Sequence, residues 1–370
     1  MRILVFSNSI IGLHSFRKEV FQACRDNKYE VYISCPINDG DRDKIMWFEN
    51  IGCKIIDTPF NRQGTNPLSD FKLMMTYRKL IKKLYPDVVL SYTIKPNLYG
   101  GMACALCRVS QLANITGLGA AVEYPGLMQK ITISLYKLGL RKTLLVFFQN
   151  YENLQFCLKH GMVKGRTRLI PGSGVNLTYH TLKQYPIEDT SIRFIFISRI
   201  RREKGIDEYL DAAQVIKQKY PNTEFHVLGG CEDDYYQKLS KLSKEGVIVY
   251  HGQKSDVRPY IANVHCTVHP TFYPEGMSNV LLESCAAGRP IITTDRAGCR
   301  EIVDDGVNGF VVRQQDSNDL IEKLEKFIHL SYEAKKKMGI AARRKVEKEF
   351  DRQLVVDAYL EEIKKVKKDV

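Results

Sequence analysis

The sequence predicts an α/β protein of two domains, each with a mostly parallel sheet covered by helices. The chain has 370 residues, more than one ordinary hydrophobic core holds. Short apolar runs alternate with longer amphipathic stretches, the pattern of βα units. The alternation is interrupted once, by the polar segment "TLKQYPIEDTS", and then begins again. We therefore expect a first domain at 1–180, a second at 190–345 and a terminal helix at 346–370.

The helices and strands of the first domain are predicted from the spacing of apolar residues and from the length of each run. Four- to seven-residue runs rich in Val, Ile, Tyr and Phe favour strands, and longer runs with one apolar face favour helices. Strands are predicted at "RILVFS", "EVYISCP", "CKIIDTPF", "DVVLSYT" and near "QLANITG". Helices are predicted at "SFRKEVFQACRD", "DRDKIMWFENIG", "PLSDFKLMMTYRKLIKKLYP" and "PNLYGGMACALCRV".

The second domain repeats the alternation with shorter elements. Strands are predicted at "IRFIFISR", "TEFHVLGG", "VIVYHGQ", "CTVHPT", "PIITTD" and "GFVVR". Helices are predicted at "GIDEYLDAAQVIKQKYP", "DYYQKLSKLSKEG" and "MSNVLLESCAAG", with a long helical stretch from about Asp319 to the end. Because parallel sheets bind ligands beyond the carboxyl ends of their strands, we expect a site between the two domains.

Charge and missing motifs narrow the function classes. Residues 1–178 contain 24 Lys and Arg against 12 Asp and Glu, whereas 179–370 contain 31 against 30. A basic first domain predicts an anionic partner: a nucleic acid, an anionic membrane surface or a phosphorylated substrate. The chain has no G-x-G-x-x-G, no Walker-type loop and no RNA-binding aromatic signature, so we expect no nucleic-acid partner.

The ten cysteines show no spacing typical of a disulfide framework or a zinc site. Cys104 and Cys107 form a C-x-x-C pair inside "GGMACALCRV", without a second pair or a nearby histidine. We interpret this pair as part of an apolar helix, and the chain as a protein of a reducing cytoplasm.

Two glutamates, Glu275 and Glu283, carry the strongest chemical signal. They lie eight positions apart in "PEGMSNVLLESCAAG", where Met277–Ala287 is predicted to be a helix ending at Gly288. Eight helical residues span about 12 Å and return to roughly the same side. The helix start offers backbone N–H groups and a positive dipole end, which favour a phosphate. A ligand with hydroxyls at both ends and an anion between them, such as a nucleotide diphosphate sugar, fits this arrangement.

A second motif supplies cations. In "ISRIRREKGID", Arg199 follows a buried strand and Lys204 comes five residues later. Two cations placed there neutralise a diphosphate as it leaves, the electrostatic role that glycosyl transfer requires. On spacing alone, solvated surface charges remain an alternative for all four residues.

These motifs together resemble the retaining glycosyltransferases of family 4. "PEGMSNVLLE" resembles their E-x7-E motif, and "SRIRREKG" resembles their donor-phosphate motif. Similarity covers 190–350 closely and 1–178 loosely, through "YTIKPNLYG" and "NITGLG", which resemble the polysaccharide, capsule and O-antigen branches. The resemblance implies a GT-B fold, in which two Rossmann-like domains face each other across a cleft and a C-terminal helix crosses back to the first domain.

The resemblance also implies roles for single residues. Arg199 and Lys204 would bind the donor pyrophosphate, Glu275 the hydroxyls of the transferred sugar, and Glu283 the ribose. The transfer would retain anomeric configuration and need neither a metal nor another cofactor. Main-chain donor contacts would come from Gly276, Met277, Ser278 and Asn279.

The acceptor side is predicted from loops after the strands of the first domain. Gly12 would permit close backbone approach to the donor, and His14 and Arg17 follow it in "SNSIIGLHSFRKE". A local role at a helix start remains an alternative for His14. Lys95 and Asn97 in "YTIKPNLYGG" and Thr116 in "NITGLG" complete the predicted acceptor residues.

The expected substrates follow from the branch of the family. The donor would be a nucleotide sugar, with UDP as the expected nucleotide, and the acceptor a polyprenyl-diphosphate-linked glycan. Basic residues interleave with apolar ones in "FKLMMTYRKLIKKLYP" and "LMQKITISLYKLGLRKTLLVFF", a pattern typical of anionic membrane surfaces. We therefore expect a cytoplasmic protein, peripheral on the inner face of the membrane. A sugar-nucleotide 2-epimerase and a non-catalytic glycan-binding protein remain alternatives.

Overall fold

The chain forms two compact units, each with one parallel sheet. The computed structural model describes residues 1–62, 64, 66–187, 191–231 and 233–366. The first unit runs over Met1–Gly174 and takes in the chain again from Arg352, and the second covers Val175–Asp351. In these described ranges no helix is both long and apolar enough to cross a bilayer.

The described residues of the first unit form a seven-stranded sheet with the strand order β3-β2-β1-β4-β5-β6-β7. Every neighbouring pair is parallel, so all carboxyl ends lie at one edge. The strands are β1 Arg2–Phe6, β2 Glu30–Cys35, β3 Lys54–Asp57, β4 Val88–Tyr92, β5 Ser110–Ile115, β6 Leu145–Phe148 and β7 Arg166–Leu169.

Helices connect these strands, as the alternation predicts. α1 begins where the Ser9 hydroxyl accepts a hydrogen bond from the Gly12 N–H, and α3 begins at Asn66 followed by a proline at its first position. The helices are α1 Ile10–Asp26, α2 Arg42–Asn50, α3 Pro67–Leu84, α4 Ile94–Cys107, α5 Leu127–Gly139 and α6 Tyr151–Lys159.

The second unit has six described strands in the order β10-β9-β8-β11-β12-β13, again all parallel. Its strands are β8 Ile192–Ile197, β9 Thr223–Leu228, β10 Val249–Tyr250, β11 Cys266–His269, β12 Ile291–Thr294 and β13 Gly309–Val312. Its helices are α7 Ile206–Lys219, α8 Asp233–Lys244, α9 Arg258–Ala262, α10 Asn279–Ala286, α11 Ser317–Ile328 and α12 Tyr332–Glu349.

The prediction of one continuous helical stretch from about Asp319 to the end is wrong. α11 and α12 are separate, because the Ser331 hydroxyl caps a new helix by accepting from the Ala334 N–H. The terminal helix, expected over 346–370, is α13 Arg352–Val366 within the described chain. Its first residue is an anchor in the first unit: the Arg352 guanidinium donates to the carbonyls of Ser173 and Gly174 and pairs with Glu19.

α13 completes the core of the first unit. Val355, Tyr359 and Ile363 recur every four residues and are fully buried in the same apolar cluster as Ile3 and Val5 of β1. The Tyr359 hydroxyl also accepts a hydrogen bond from the side-chain amide of Asn114. Burial of one helical stripe in this way stabilises α13 through packing rather than through propensity.

The basic stretch expected over 127–148 divides into two elements with opposite exposure. α5 keeps an exposed face with Leu127, Ile131 and Leu138, whereas β6 is fully buried between β5 and β7. The helix and the exposed turn at Arg141 and Lys142 that follows it are accessible to a partner, whereas the strand is not. The cysteines of the C-x-x-C pair are free thiols, Cys104 buried and Cys107 half-buried.

Candidate functional site

The loop between β11 and α10 places the first glutamate. Helix α10 begins at Asn279, two residues later than predicted, with Ser278 as its N-cap. The Ser278 side chain makes no capping hydrogen bond, and its N–H donates to the Gly298 carbonyl at 2.8 Å. The expectation that the Ser278 N–H is free for a ligand is therefore wrong. Glu275 and Gly276 lie in the loop that precedes this helix start, with Met277 buried behind it.

Lys204 and Glu275 meet directly. Lys204 ends a short 3-10 turn after β8 and is only 6% exposed. Its Nζ forms an ion pair with the Glu275 carboxylate and lies 4.2 Å from the centre of the Tyr273 ring. A cation and an anion that the sequence separates by 71 positions are thus neighbours at the carboxyl edge of the sheet.

Backbone contacts hold the two loops together. The Phe272 N–H donates to the Glu203 carbonyl at 3.0 Å, and the Thr271 hydroxyl donates to the same oxygen. Gly205 has φ +80, and a Cβ there would lie 2.1 Å from the Pro270 carbonyl oxygen. The Lys204–Glu275 pair therefore sits on a preorganised scaffold, which a charge-stabilising site requires.

His269 and Tyr273, two residues near the Lys204–Glu275 pair, were not predicted from the sequence as site residues. Burial, reinforced by the charge of Lys204, lowers the pKa of His269 to about 3, so the imidazole is neutral at pH 7. Burial raises the pKa of Tyr273, and the Glu275 carboxylate adds to this effect. Tyr273 lies inside the stretch that carries the glutamates, but only the fold shows that its ring covers Lys204.

Arg199 lines a cavity at the carboxyl ends of β8 and β9. The cavity has a volume of about 400 Å³ and is bordered by Gly229, Gly230, Gln253 and Lys254. Gly229 has φ +154, and a Cβ there would lie 1.7 Å from the Ser198 carbonyl oxygen, so only glycine fits. The Arg199 side chain is exposed and forms part of the wall of this cavity.

Glu283 has different surroundings from Glu275. It is half-buried on α10 and lines a cavity of about 550 Å³. Its Oε1 lies 4.0 Å from His180 Nε2. Arg258 borders the same cavity, where its guanidinium stacks 3.8 Å from the Tyr179 ring centre. This cavity offers a carboxylate for hydroxyl groups and a flat surface for a planar ring.

Gly12, predicted to approach the donor, and His14, predicted to bind the acceptor, belong to a helix and not to a loop. Gly12 is in the first turn of α1, where a Cβ would be in ordinary contact, 3.6 Å from Ser9. The His14 ring packs edge-on against Trp47, with centroids 5.3 Å apart. Burial lowers the pKa of His14, and the charge of Lys18 adds to the effect. The loop position expected for Gly12 is wrong, its close approach to the donor stays a prediction, and His14 has the local packing role left open above.

The remaining acceptor candidates are mostly occupied by protein contacts. Arg17 is 3% exposed, with its guanidinium 5.7 Å from the Tyr92 ring centre. Lys95 forms an ion pair of 2.6 Å with Asp70 on α3. These two cations do not present free charge at the surface, because one is buried and the other is neutralised.

Asn97 is a core residue in the structure. It is 1% exposed, its amide oxygen accepts from the Ser91 hydroxyl, and its amide nitrogen donates to the Asn114 carbonyl. A side chain with both ends satisfied in the core is not available to a substrate, so its interpretation as an acceptor ligand is wrong. Thr116 is half-buried immediately after β5, at the carboxyl edge where a ligand contact remains open.

Comparisons with known proteins agree on one family. The description "Glycosyl transferase 4-like" matches residues 2–150, and "Glycosyl transferases group 1" matches residues 180–345. The chain is 25% identical, over the full length of both proteins, to the N,N'-diacetylbacillosaminyl-diphospho-undecaprenol alpha-1,3-N-acetylgalactosaminyltransferase of Campylobacter jejuni. It is 27% identical to the capsular polysaccharide biosynthesis glycosyltransferase CapM of Staphylococcus aureus, over 78% of this chain and 79% of that one.

A solved structure shares the fold. The crystal structure of HepE from Anabaena in complex with UDP aligns with a TM-score of 0.78 at 17% identity, covering 99% of this chain and 100% of that one. At this identity the likeness concerns the fold alone. Two parallel-sheet units in this order, with both family descriptions matched in sequence, therefore agree with the fold expected from the motifs.

Proposed function

The chain belongs to the GT-B glycosyltransferases of family 4, and we propose that it moves a hexose or N-acetylhexosamine from a nucleotide diphosphate sugar to a lipid-linked glycan. The observation that carries this proposal is the buried Lys204–Glu275 pair, which lies between the loops that follow β8 and β11, with the Arg199 cavity at the same edge of the sheet. The relative from Campylobacter jejuni, whose name specifies a diphospho-undecaprenol acceptor, supports the acceptor class.

Lys204 can serve the protein and the ligand together. An ammonium group has three N–H donors, so it can hold Glu275 and still donate to a phosphate oxygen. Arg199 would bind the same diphosphate from the exposed side, through the planar donors of its guanidinium. The start of α10 adds the positive end of its dipole. Together these groups stabilise the negative charge that develops on the leaving diphosphate, and no metal is needed in this account.

The proposed reaction exchanges one bond for another at the anomeric carbon. The bond between this carbon and the β-phosphate oxygen breaks, and the acceptor hydroxyl oxygen forms a new bond on the same face. The hydroxyl proton passes to the departing phosphate oxygen, and the nucleoside diphosphate leaves. Configuration is thereby retained, which proton NMR of the product anomer measures directly.

A nucleotide panel tests the proposed function. Thermal unfolding with UDP-, GDP- and ADP-sugars should show a raised melting temperature for one nucleotide, expected to be UDP, because a ligand of the folded state stabilises by mass action. Transfer to a polyprenyl-diphosphate-linked acceptor should follow with the same donor. If the sugar is instead epimerised at C2 without an acceptor, the chain is an epimerase. If no nucleotide shifts the transition, the donor proposal fails.

The two glutamates are expected to act on different steps. Glu283→Gln should raise the donor dissociation constant about tenfold with little change in kcat, because Glu283 would bind ribose hydroxyls equally in ground and transition states. Glu275→Gln should lower kcat about tenfold with little change in donor affinity, because Glu275 would act at the reacting sugar. Calorimetry and steady-state kinetics separate the two effects. Identical profiles for both variants would contradict the division of roles.

The acceptor would be reached at a membrane surface. α5 exposes Leu127, at 73%, with Ile131 and Leu138 one and three turns along, while Ile133 on its other face is buried. Lys130 and Lys137, seven positions apart, lie along one side of the apolar stripe, and both are exposed. An apolar stripe bordered by cations suits the interface of an anionic bilayer. We therefore expect peripheral binding to the cytoplasmic face of the membrane.

Flotation with liposomes tests this contact. The protein should float with phosphatidylglycerol vesicles at low salt, and Leu127→Ser with Ile131→Ser should abolish the binding because the apolar stripe is lost. A matched control is Leu182→Ser with Ile187→Ser, since both residues are exposed in the second unit. Equal flotation of the α5 variant and the control would remove α5 from the account.

A further inference from the structure

A third cavity lies in the first unit, at the edge of the sheet opposite the strand carboxyl ends. It has a volume of about 860 Å³ and is bordered by the starts of β5 and β7, the turn before β6 and the end of α4. Substrates of parallel α/β sheets bind at the other edge, so this cavity is separate from the acceptor residues discussed above. Nothing in the proposed glycosyl transfer uses it.

The lining of this cavity is strongly cationic. Five of its residues are Lys or Arg and none is Asp or Glu: Arg108, Arg141, Lys142, Lys164 and Arg166. Arg166 pairs with Glu362 at 2.9 Å. Within the described part of the chain, the other four have no carboxylate oxygen within 4.0 Å. Like charges gathered without counter-ions repel one another, so this arrangement favours an anion between them.

The segments that carry the cations are fixed. The Arg166 N–H donates to the Leu144 carbonyl at 3.1 Å, and the Thr143 hydroxyl donates to the buried Gln111 side chain at 2.6 Å. A Cβ on Gly165 would lie 2.1 Å from the Thr143 carbonyl oxygen, so the two segments touch at the backbone. The backbone segments that carry the cations are therefore held side by side by the fold, while the five charged side chains are exposed.

Helix dipoles explain only part of the cluster. Arg108 is the C-cap of α4, and Arg141 and Lys142 follow the end of α5, where cations complement the negative end of a helix dipole. Lys164 and Arg166 precede and begin a strand, which has no such dipole. Their convergence with the helix-end cations on one cavity points to a ligand.

We propose that this cavity binds a phosphate-bearing anion, either a soluble polyphosphorylated molecule or the phosphate headgroup of a lipid. Phosphate oxygens accept several charge-assisted hydrogen bonds at once, which suits a site with both arginine and lysine donors. The volume accommodates more than one phosphate group. The site is independent of the donor site and would anchor or regulate the enzyme rather than take part in the transfer.

The test compares two matched double variants and one donor-site variant. Arg141→Gln with Lys142→Gln removes two cations from the cavity, and Lys336→Gln with Lys337→Gln removes two exposed cations from the second unit. Arg199→Ala reports on binding at the donor site. Sodium tripolyphosphate is titrated by calorimetry, and vesicles of phosphatidylcholine with or without phosphatidylglycerol are used for flotation.

The cavity variant should bind tripolyphosphate about 10–100-fold more weakly than the wild type, since two cationic donors to the phosphate oxygens are lost. The control pair should bind as the wild type does. If the cavity variant loses only vesicle binding, the ligand is a lipid headgroup, and if it loses only tripolyphosphate, the ligand is soluble. Unchanged binding in both assays overturns the proposal. So does a loss of tripolyphosphate binding that follows Arg199→Ala alone, and neither result affects the proposed transfer.

Discussion

Lys204→Ala should lower the free energy of unfolding by about 3 kcal/mol and reduce kcat about 100-fold or more. The side chains of Lys204 and Glu275 are only 8% and 19% exposed, so removal of the ammonium leaves a mostly buried carboxylate without its counter-ion. The same ammonium is the proposed donor to the leaving diphosphate. One substitution therefore affects stability through Glu275 and catalysis through the phosphate.

Urea unfolding and steady-state kinetics measure the two effects of Lys204→Ala. The matched control is Lys238→Ala, because Lys238 pairs with Asp207 at 2.8 Å but the side chains are 42% and 32% exposed. That variant should lose at most about 1 kcal/mol. Combining Lys204→Met with Glu275→Gln should restore much of the stability but not the activity. Equal free energies of unfolding for Lys204→Ala and Lys238→Ala would contradict the stabilising role of the buried pair. A fully active Lys204→Met, Glu275→Gln variant would contradict the catalytic role of the pair.

Arg199→Ala should reduce kcat/KM about 100-fold while the free energy of unfolding changes by less than about 0.5 kcal/mol. Arg199 is exposed beside its cavity, so its loss leaves no buried group unpaired. The kcat/KM of Arg199→Lys should lie between that of the wild type and that of Arg199→Ala, because lysine keeps the charge but lacks the planar pair of donors.

Arg202→Ala is the control for Arg199→Ala. Arg202 is also exposed and lies three positions away, but it does not line the cavity at the ends of β8 and β9. Kinetics with the nucleotide sugar should therefore be close to wild type for Arg202→Ala. If both arginine variants lose activity equally, a general effect of surface charge explains the result and the assignment of Arg199 fails.

The donor side could be predicted from sequence because its residues follow strands within short segments. A residue that comes directly after a buried parallel strand must lie at the carboxyl edge, so Arg199, Lys204 and Glu275 can be placed by counting. The direct pair between Lys204 and Glu275 could not, because it depends on how two loops from different strands approach each other. Gly205, which no side chain could replace against Pro270, is the sequence signal for that approach.

The acceptor side could not be predicted in the same way. Strand ends locate a segment but not the direction of each side chain, and Asn97 turns into the core to bond with Ser91. Lys95 meets Asp70, a partner 25 positions earlier that only the packing of α3 on α4 brings close. The stretch over 127–148 shows a further limit of prediction from sequence. The apolar run "LLVFF" has no periodicity that distinguishes an exposed helical face from a buried strand.

The most direct test of the donor site is a calorimetric comparison of the affinities of the protein for a nucleoside diphosphate and for the corresponding nucleoside. The nucleotide is the one that raises the melting temperature most in the panel described above. Because Arg199 and Lys204 would both bind the diphosphate, it should bind at least about 100-fold more tightly than the nucleoside, and the difference should shrink in Arg199→Ala. Equal affinities of the nucleoside diphosphate and the nucleoside for the wild-type protein would contradict the account.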